Sequence, residues 1–306
     1  MFGFGGAGQR PFGGVGLMVE RPGIQLEMTA SAEPAASGPL AQRARRTVER
    51  LGSVLPLPDL PAARVVVHAA APEHVGLGTG TQLALAVAAG WLALGNRPVP
   101  AADELARLAG RGRRSSIGSH GFVLGGLLVD EGHRTPQRLA ALSARVELPE
   151  AWRWVLVRPG EAAGLSGEAE QTAFDRLPHV PPRVTAQLWE LAQQRVLPAA
   201  RAGRFADFAR SIYEFGRAAG ALFAPVQGGV YASQAVDACV AAIRREGIEG
   251  VVQSSWGPTL AVVVPDEAAA AAIVRLLEQR AGAPLDLLVT RTANRGATFE
   301  VIDGPE

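Results

Sequence analysis

Apolar positions along the chain switch between two spacings, and the switches outline the elements. Residues 64–70, Arg64-Val65-Val66-Val67-His68-Ala69-Ala70, are β-branched enough for a strand. They lead through Pro72 into the glycine-rich turn Gly76-Leu77-Gly78-Thr79-Gly80-Thr81-Gln82, and then into an apolar helical run ending near Gly95. A basic helix is predicted over 41–51, and another helix over 100–110 with Leu105, Ala106 and Leu108 on its apolar side. The N-terminal stretch is rich in glycine, yet Phe2, Phe4 and Phe12 are unusual in a solvated tail and predict packed strands joined by bends, with a strand over 17–20.

The pattern changes near Leu148 and Pro149, which predicts a domain boundary and units of 1–149 and 150–306. Beyond it come the apolar stretch 152–157, a turn at 178–182 and helices over 183–197 and 202–219. Strand, turn and strand fill 250–264, followed by a helix over 267–279 and a strand over 285–291. That order predicts an α+β layer with an antiparallel sheet, and no long internal repeat interrupts it.

A strand, a glycine turn and a helix in succession make an anion site. Gly76, Gly78 and Gly80 let the backbone take positive φ and bring its N–H groups close to a ligand. Thr79 and Thr81 can cap or donate. The unpaired amides and aligned dipoles of the helix beginning near Gly80 favour phosphate or pyrophosphate. A second candidate is Arg111-Gly112-Arg113-Arg114-Ser115-Ser116-Ile117-Gly118-Ser119-His120, three arginines and three serines among glycines. It is either a solvated charge run or a segment whose small residues let the backbone approach a charged ligand.

Composition narrows the chemistry. All 30 Lys+Arg residues are arginine, so mechanisms that need a lysine are excluded: the Walker phosphate loop, pyridoxal enzymes and Schiff-base aldolases. A formal net charge of +1, with 29 acidic residues against the 30 basic ones, argues against a general nucleic-acid binder. Cys239 stands alone, which excludes an internal disulfide and any multi-cysteine metal site; it reads as a small buried hydrophobe on a helix. The chain is 48% hydrophobic. It has no apolar run approaching the roughly 18 residues of a membrane span and no charged-then-apolar leader, so a soluble, cytoplasmic protein with no membrane partner is expected. His68 and His74 read as structural, with no second ligand at metal spacing.

Three segments in order, 76–82, 113–130 and 254–259, resemble the motifs of the GHMP kinase superfamily: a Pro-x-x-x-Gly-Leu-Gly-Ser-Ser loop, matched by Pro72 and Gly76-Leu77-Gly78, and a Ser-x-Gly-Pro-Thr turn, matched by Gly257-Pro258-Thr259. Phe12-Gly13-Gly14-Val15-Gly16-Leu17-Met18-Val19, the 76–85 loop, Arg113 to Phe122 and Phe223-Ala224-Pro225-Val226-Gln227-Gly228-Gly229-Val230-Tyr231 are similar more narrowly to the β-ribofuranosylaminobenzene 5′-phosphate synthase family, over almost the whole chain. Kinases of the superfamily carry paired serines where this chain has Thr79 and Gly80, and an aspartate base where it has Gly118, Ser119 and His120. The synthases' Arg-x-His-x-Gly-Leu start is absent; a misplaced start codon or a truncation would explain it.

The resemblance implies an α+β, two-domain GHMP-kinase-like fold, with an S5-domain-2-like N-terminal unit and a ferredoxin-like C-terminal one. It implies transfer of the ribose of phosphoribosyl pyrophosphate to 4-aminobenzoate or 4-hydroxybenzoate, with loss of carbon dioxide and pyrophosphate, in tetrahydromethanopterin biosynthesis and one-carbon metabolism. Magnesium as cofactor and a homodimer are part of the same expectation; no metal ligand is assigned. Gly76, Leu77, Gly78, Thr79, Gly80, Thr81 and Gln82 are expected to bind pyrophosphate. Arg113 and Arg114 take the second anion, the latter also catalytic, with Ser115, Ser116 and Gly118 beside them. His120 either donates a proton or hydrogen bond or is a structural histidine on a backbone carbonyl. Ser254, Ser255, Gly257 and Thr259 close the site from the second domain. Trp256 either stacks on the aromatic ring or simply packs. Rival readings are an ATP-dependent small-molecule kinase of the superfamily and a non-catalytic phosphate-ligand protein on the same scaffold.

Overall fold

The computed structural model describes residues 10–54, 62–135, 138–160, 172–255, 257–280 and 284–300. The order of elements is β1 (Gly14–Leu17), β2 (Gln25–Ser31), β3 (Ala35–Ser37), α1 (Ala41–Val54), β4 (Ala62–Ala69), α2 (Thr79–Leu94), α3 (Ala102–Ala109), α4 (Ile117–Leu124), β5 (Leu127–Asp130) and β6 (Leu142–Val146). There follow β7 (Arg153–Pro159), α5 (Pro182–Leu191), a π-helical turn (Ala192–Val196), α6 (Leu197–Arg201), α7 (Phe205–Ala221), α8 (Ala224–Gln227), α9 (Gln234–Arg245), β8 (Val251–Gln253), β9 (Leu260–Val264), α10 (Glu267–Arg280) and β10 (Leu285–Thr290).

The N-terminal half holds two three-stranded sheets, ordered β2-β4-β3 and β1-β5-β6. In β4 the alternate residues Ala63, Val65 and Val67 turn inward, as the two-residue period of a strand requires, onto Ala44, Val48 and Leu51 of α1 and Leu83 and Val87 of α2. The C-terminal half holds an antiparallel sheet ordered β10-β7-β9-β8, the arrangement of a split βαβ unit. The alternation of β7 serves two cores: Trp154 faces the helices over 188–219, while Val155 and Val157 face α9 and α10. The first of these cores also takes Leu127 and Val129 from β5 and Ala144 and Val146 from β6. Trp154 is fully buried there, and its indole N–H donates to Thr292 Oγ1 at 2.9 Å.

Some expected boundaries shift. The first strand lies at Gly14–Leu17, earlier than 17–20, and Val19 contributes only a single bridge to Thr292. Glycine suits this strand because Ile117 of α4 presses on it: a Cβ at Gly16 would lie 2.6 Å from the Ile117 side chain. Residues 117–124 form a helix despite Gly118 and Gly121, since contact with β1 outweighs poor propensity; a Cβ at Gly121 would lie 2.4 Å from Met18 Sδ. The helix expected over 183–197 starts at Pro182 and passes into the π turn at Ala192, and the one expected over 202–219 starts at Phe205. Phe12 packs edge-on to Phe174 and His133, whereas Phe2 and Phe4 lie outside the described residues. Cys239 sits half-buried on α9, where burial pushes its thiol up from the usual value.

Candidate active site

β4 delivers the chain to the glycine loop, and α2 carries it away. Gly76 (φ +89°) and Gly78 (φ +70°) both take left-handed backbone, and Gly78 is the residue from which α2 starts. The loop is closed from within, because Thr79 Oγ1 donates to the Pro72 carbonyl at 2.9 Å and is thereby committed to holding the turn. The amides of Thr81 and Gln82 donate to the Gly78 carbonyl. Those of Thr79 and Gly80 have no acceptor among the described residues, as the first turn of a helix leaves them. No side chain caps α2, and a Cβ at Gly78 would meet nothing within 4 Å. The start of α2 is therefore open to a ligand.

The second turn comes from between β8 and β9. Ser254 N donates to the Thr259 carbonyl at 2.9 Å and Gly257 N to the Ser254 carbonyl at 3.0 Å, which folds this turn tightly. It meets the glycine loop backbone to backbone. A Cβ at Gly76 would lie 2.1 Å from Ser254 Oγ, and one at Gly257 would lie 2.3 Å from the Gly76 Cα. Both positions need glycine because the two halves of the protein touch there. The Ser254 hydroxyl is buried without a hydrogen-bond partner.

A cleft of about 2560 Å³ runs past this junction. It exceeds the roughly 300–1,000 Å³ of a site for one small molecule, so it has room for a donor and an acceptor together. Gly76, Leu77, Gly78, Thr79, Gly80, Thr81, Gln82, Arg113, Arg114, Ser115, Gly118, Ser254, Ser255 and Gly257 all line it. Arg114 places its guanidinium 4.8 Å from the centre of the Phe174 ring, and Gln82 Nε2 donates to the Gly118 carbonyl at 2.8 Å, tying the start of α2 to the start of α4.

Three of the sequence candidates do not line the cleft. Ser116 is fully buried; its Oγ accepts from Ala140 N at 2.8 Å and its amide donates to Asp130. Thr259 is buried beneath the second turn. His120 Nε2 lies 2.9 Å from the Ala140 carbonyl, the arrangement of a structural histidine. Trp256 lies outside the described residues. His68 faces Glu27 across neighbouring strands at 3.4 Å, and His74 lines the cleft with φ +61°.

Several groups emerge only in three dimensions. Arg43 of α1 lies over the start of α2, where a Cβ at Gly80 would come within 2.8 Å of its guanidinium, and it is ion-paired to Glu73. Arg111 reaches the same cleft. Burial, then the charges of Arg43 and Arg50, hold its pKa below the usual value. Asp130, at the end of β5, is fully buried and accepts from Gly14 N at 2.9 Å, Ser116 N at 3.2 Å and Gly132 N at 3.3 Å. Burial pushes its pKa up, against the pull of those amides. It joins β1, β5 and the start of α4, and it does not line the cleft. Only the run of arginines over 111–114 marked any of these residues in the sequence.

A magnesium ion bound with a diphosphate takes most of its ligands from phosphate and water, plus one or two carboxylates. Among the described residues no three His, Cys, Asp or Glu side chains gather into a metal cage, but Glu73 lines the cleft beside the loop. The residues present thus fit a metal carried by the substrate.

Comparison with known proteins gives a consistent result. Residues 40–126 match the GHMP kinases N terminal domain and residues 196–283 the GHMP kinases C terminal. A protein of Methanothermobacter thermautotrophicus named beta-ribofuranosylphenol 5′-phosphate synthase is 28% identical over 93% of this chain and 90% of its own length. One of the same name from Archaeoglobus fulgidus is 28% identical over 94% and 92%. Among solved structures, mevalonate pyrophosphate decarboxylase from Streptococcus pyogenes aligns with a TM-score of 0.67 at 14% identity, covering 94% of this chain and 90% of that one. Homoserine kinase from Cytophaga hutchinsonii aligns with a TM-score of 0.64 at 14% identity, covering 92% and 90%. At that identity the structures speak for the fold alone.

Proposed function

Since the chain belongs to the GHMP kinase family, and its curated relatives are named as synthases of a ribosylated phenol phosphate, we propose that it joins phosphoribosyl pyrophosphate to a 4-substituted benzoate with decarboxylation. The bond from the anomeric carbon to pyrophosphate breaks, and its electron pair leaves with the diphosphate. The ring carbon that bears the carboxylate attacks the oxocarbenium-like sugar carbon. The bond to the carboxylate then breaks, carbon dioxide departs, and the electron pair restores the aromatic ring. The acceptor is 4-hydroxybenzoate, whose decarboxylated adduct is a ribosyl phenol; 4-aminobenzoate is the alternative substrate. The product feeds tetrahydromethanopterin synthesis in the cytoplasm, and the working form is a homodimer.

This chemistry needs no enzyme nucleophile. It needs two anions and a carbocation-like sugar held in line, a task of positioning and electrostatics. The observation that carries the proposal is the open start of α2: the amides of Thr79 and Gly80 lack acceptors among the described residues, beside the point where the two halves meet. They hold the diphosphate. Arg113 and Arg114 hold the 5-phosphate or the aromatic carboxylate, a task for which a forked donor is suited. Ser254 and Ser255 close the cleft over the donor. His120, engaged with the Ala140 carbonyl, ties α4 to the segment that leads into β6. Glu73, which lines the cleft beside the loop, would hold a magnesium ion together with the substrate's own oxygens, and the ion would neutralise the departing charge.

The test supplies the purified protein with phosphoribosyl pyrophosphate, magnesium and 4-hydroxybenzoate or 4-aminobenzoate labelled in the carboxylate. Labelled carbon dioxide is expected with at least one of them. Release with neither, or consumption of ATP with a sugar or isoprenoid alcohol instead, rejects the proposal.

A further inference from the structure

The arginines around the glycine loop differ in how they are partnered. Arg50 is accounted for, because its guanidinium donates to the Leu108 carbonyl at the end of α3, where a helix presents negative charge. Arg43 has Glu73. Arg111 has no carboxylate partner among the described residues, and its Nε is buried without a hydrogen bond. A half-buried guanidinium whose Nε is buried without an acceptor is costly to keep, and an anion bound in the cleft would complete it. A glycine of the loop points the same way for Arg43. A Cβ at Gly80 would collide with the Arg43 guanidinium, so the absence of a side chain there lets Arg43 close on the start of α2.

Resting on the diphosphate assignment above, we propose that Arg111 and Arg43 form the cationic wall of the diphosphate subsite. They grip phosphoryl oxygens whose other side rests on the amides of Thr79 and Gly80. The pair does the work that a lysine does in lysine-bearing phosphate loops. Both guanidiniums stay charged at any physiological pH, since even a lowered arginine remains protonated there. The subsite therefore holds diphosphate without a divalent cation, and the metal serves the departure of the leaving group rather than its binding.

Calorimetry of the full chain with inorganic pyrophosphate, in buffer containing a metal chelator, tests this. Wild type is expected to bind. Arg111→Gln and Arg43→Gln are each expected to weaken binding by about 10- to 100-fold, the usual cost of a charge-assisted contact. Arg111→Lys is expected to lie between, because it keeps the charge but loses the fork. Melting temperature gives a second readout: Arg111→Met, which keeps the apolar stem and removes an unanswered charge, should melt no lower than wild type without ligand. An Arg111→Gln affinity within twofold of wild type overturns the inference. So does an Arg111→Met protein that melts several degrees lower yet binds pyrophosphate unchanged, since the arginine is then a strut. Gly78→Val separates this inference from the one beneath it: loss of binding in Gly78→Val but not in Arg111→Gln leaves the loop assignment standing and the arginine wall fallen, and the reverse pattern does the opposite.

Discussion

The arginines of the two halves are used differently. In the C-terminal half Arg153 meets Glu267, Arg158 meets Asp286, Arg204 meets Asp207 and Arg280 meets Glu246, each pair at the surface. On the cleft wall the partnering is uneven: Arg43 is ion-paired to Glu73, whereas Arg111 has no carboxylate partner among the described residues and its Nε is buried without a hydrogen bond. Surface pairs contribute little to stability, with a median near 0–1 kcal/mol, because solvent screens them and ordering two long side chains is costly. A partly buried guanidinium without a counterion is a cost to the free protein that a bound anion would relieve. The arginines of the two regions thus differ in their partners: a surface carboxylate for each in the one, and on the cleft wall Glu73 for Arg43 but none for Arg111 among the described residues.

The sharpest way to break that contrast acts on the junction that shapes the cleft. Gly257→Ala sets a methyl group 2.3 Å from the Gly76 Cα, with backbone on both sides and nothing flexible to yield. It is expected to destabilise the protein by about 2–3 kcal/mol and to reduce decarboxylating activity more than 100-fold, an overpacking cost read by urea unfolding alongside the labelled carbon dioxide assay.

Asp130→Asn comes next. It replaces an acceptor for three amides with a group that presents its own N–H, and about 1–3 kcal/mol of stability is expected to go. The pH dependence of that loss has a definite sign. Burial raises the folded-state pKa above that of an ordinary aspartate, so the contribution of this carboxyl is fully present below the unfolded value and is lost as pH rises through the folded pKa. The gap between wild type and variant should narrow as pH is raised out of the acid range, and urea unfolding at a series of pH values would reveal a gap that widens instead.

The smallest effect belongs to the other half. Arg204→Gln removes a surface pair from the start of α7, and both stability and pyrophosphate affinity should change by less than about 0.5 kcal/mol. A large loss of pyrophosphate affinity there would erase the distinction between the two regions.

The parts legible in the sequence are those written in local spacing. Gly76, Gly78 and Gly80 between a β-branched run and an apolar helix announced both α2 and its open start, and the strand, turn and strand over 250–264 announced the second turn. Helix α4 escaped because Gly118, Ser119 and Gly121 are poor helix formers, and what decides the matter is the passage of β1 against them. Strand β2 escaped because its faces alternate only between exposed and half-buried, so the apolar signal of an inward face is weak. Among site residues, Arg113 and Arg114 were visible as a charge run, whereas Arg43 is one of several arginines on a basic helix and nothing local distinguishes it. Its role depends on α1 packing beside α2, a contact between segments far apart in the chain. His120 looked like a candidate because it sits among serines and glycines, but the Ala140 carbonyl that occupies its ring nitrogen comes from the distant segment leading into β6.

The central claim is that main-chain amides at the start of α2, rather than any lysine, hold the departing diphosphate. A crystal soaked with pyrophosphate tests it most directly. The account predicts phosphoryl oxygens roughly 2.7–3.2 Å from the amides of Thr79 and Gly80, with the Arg111 guanidinium on the far side. A diphosphate bound elsewhere in the cleft, with those two amides facing only water, would contradict it.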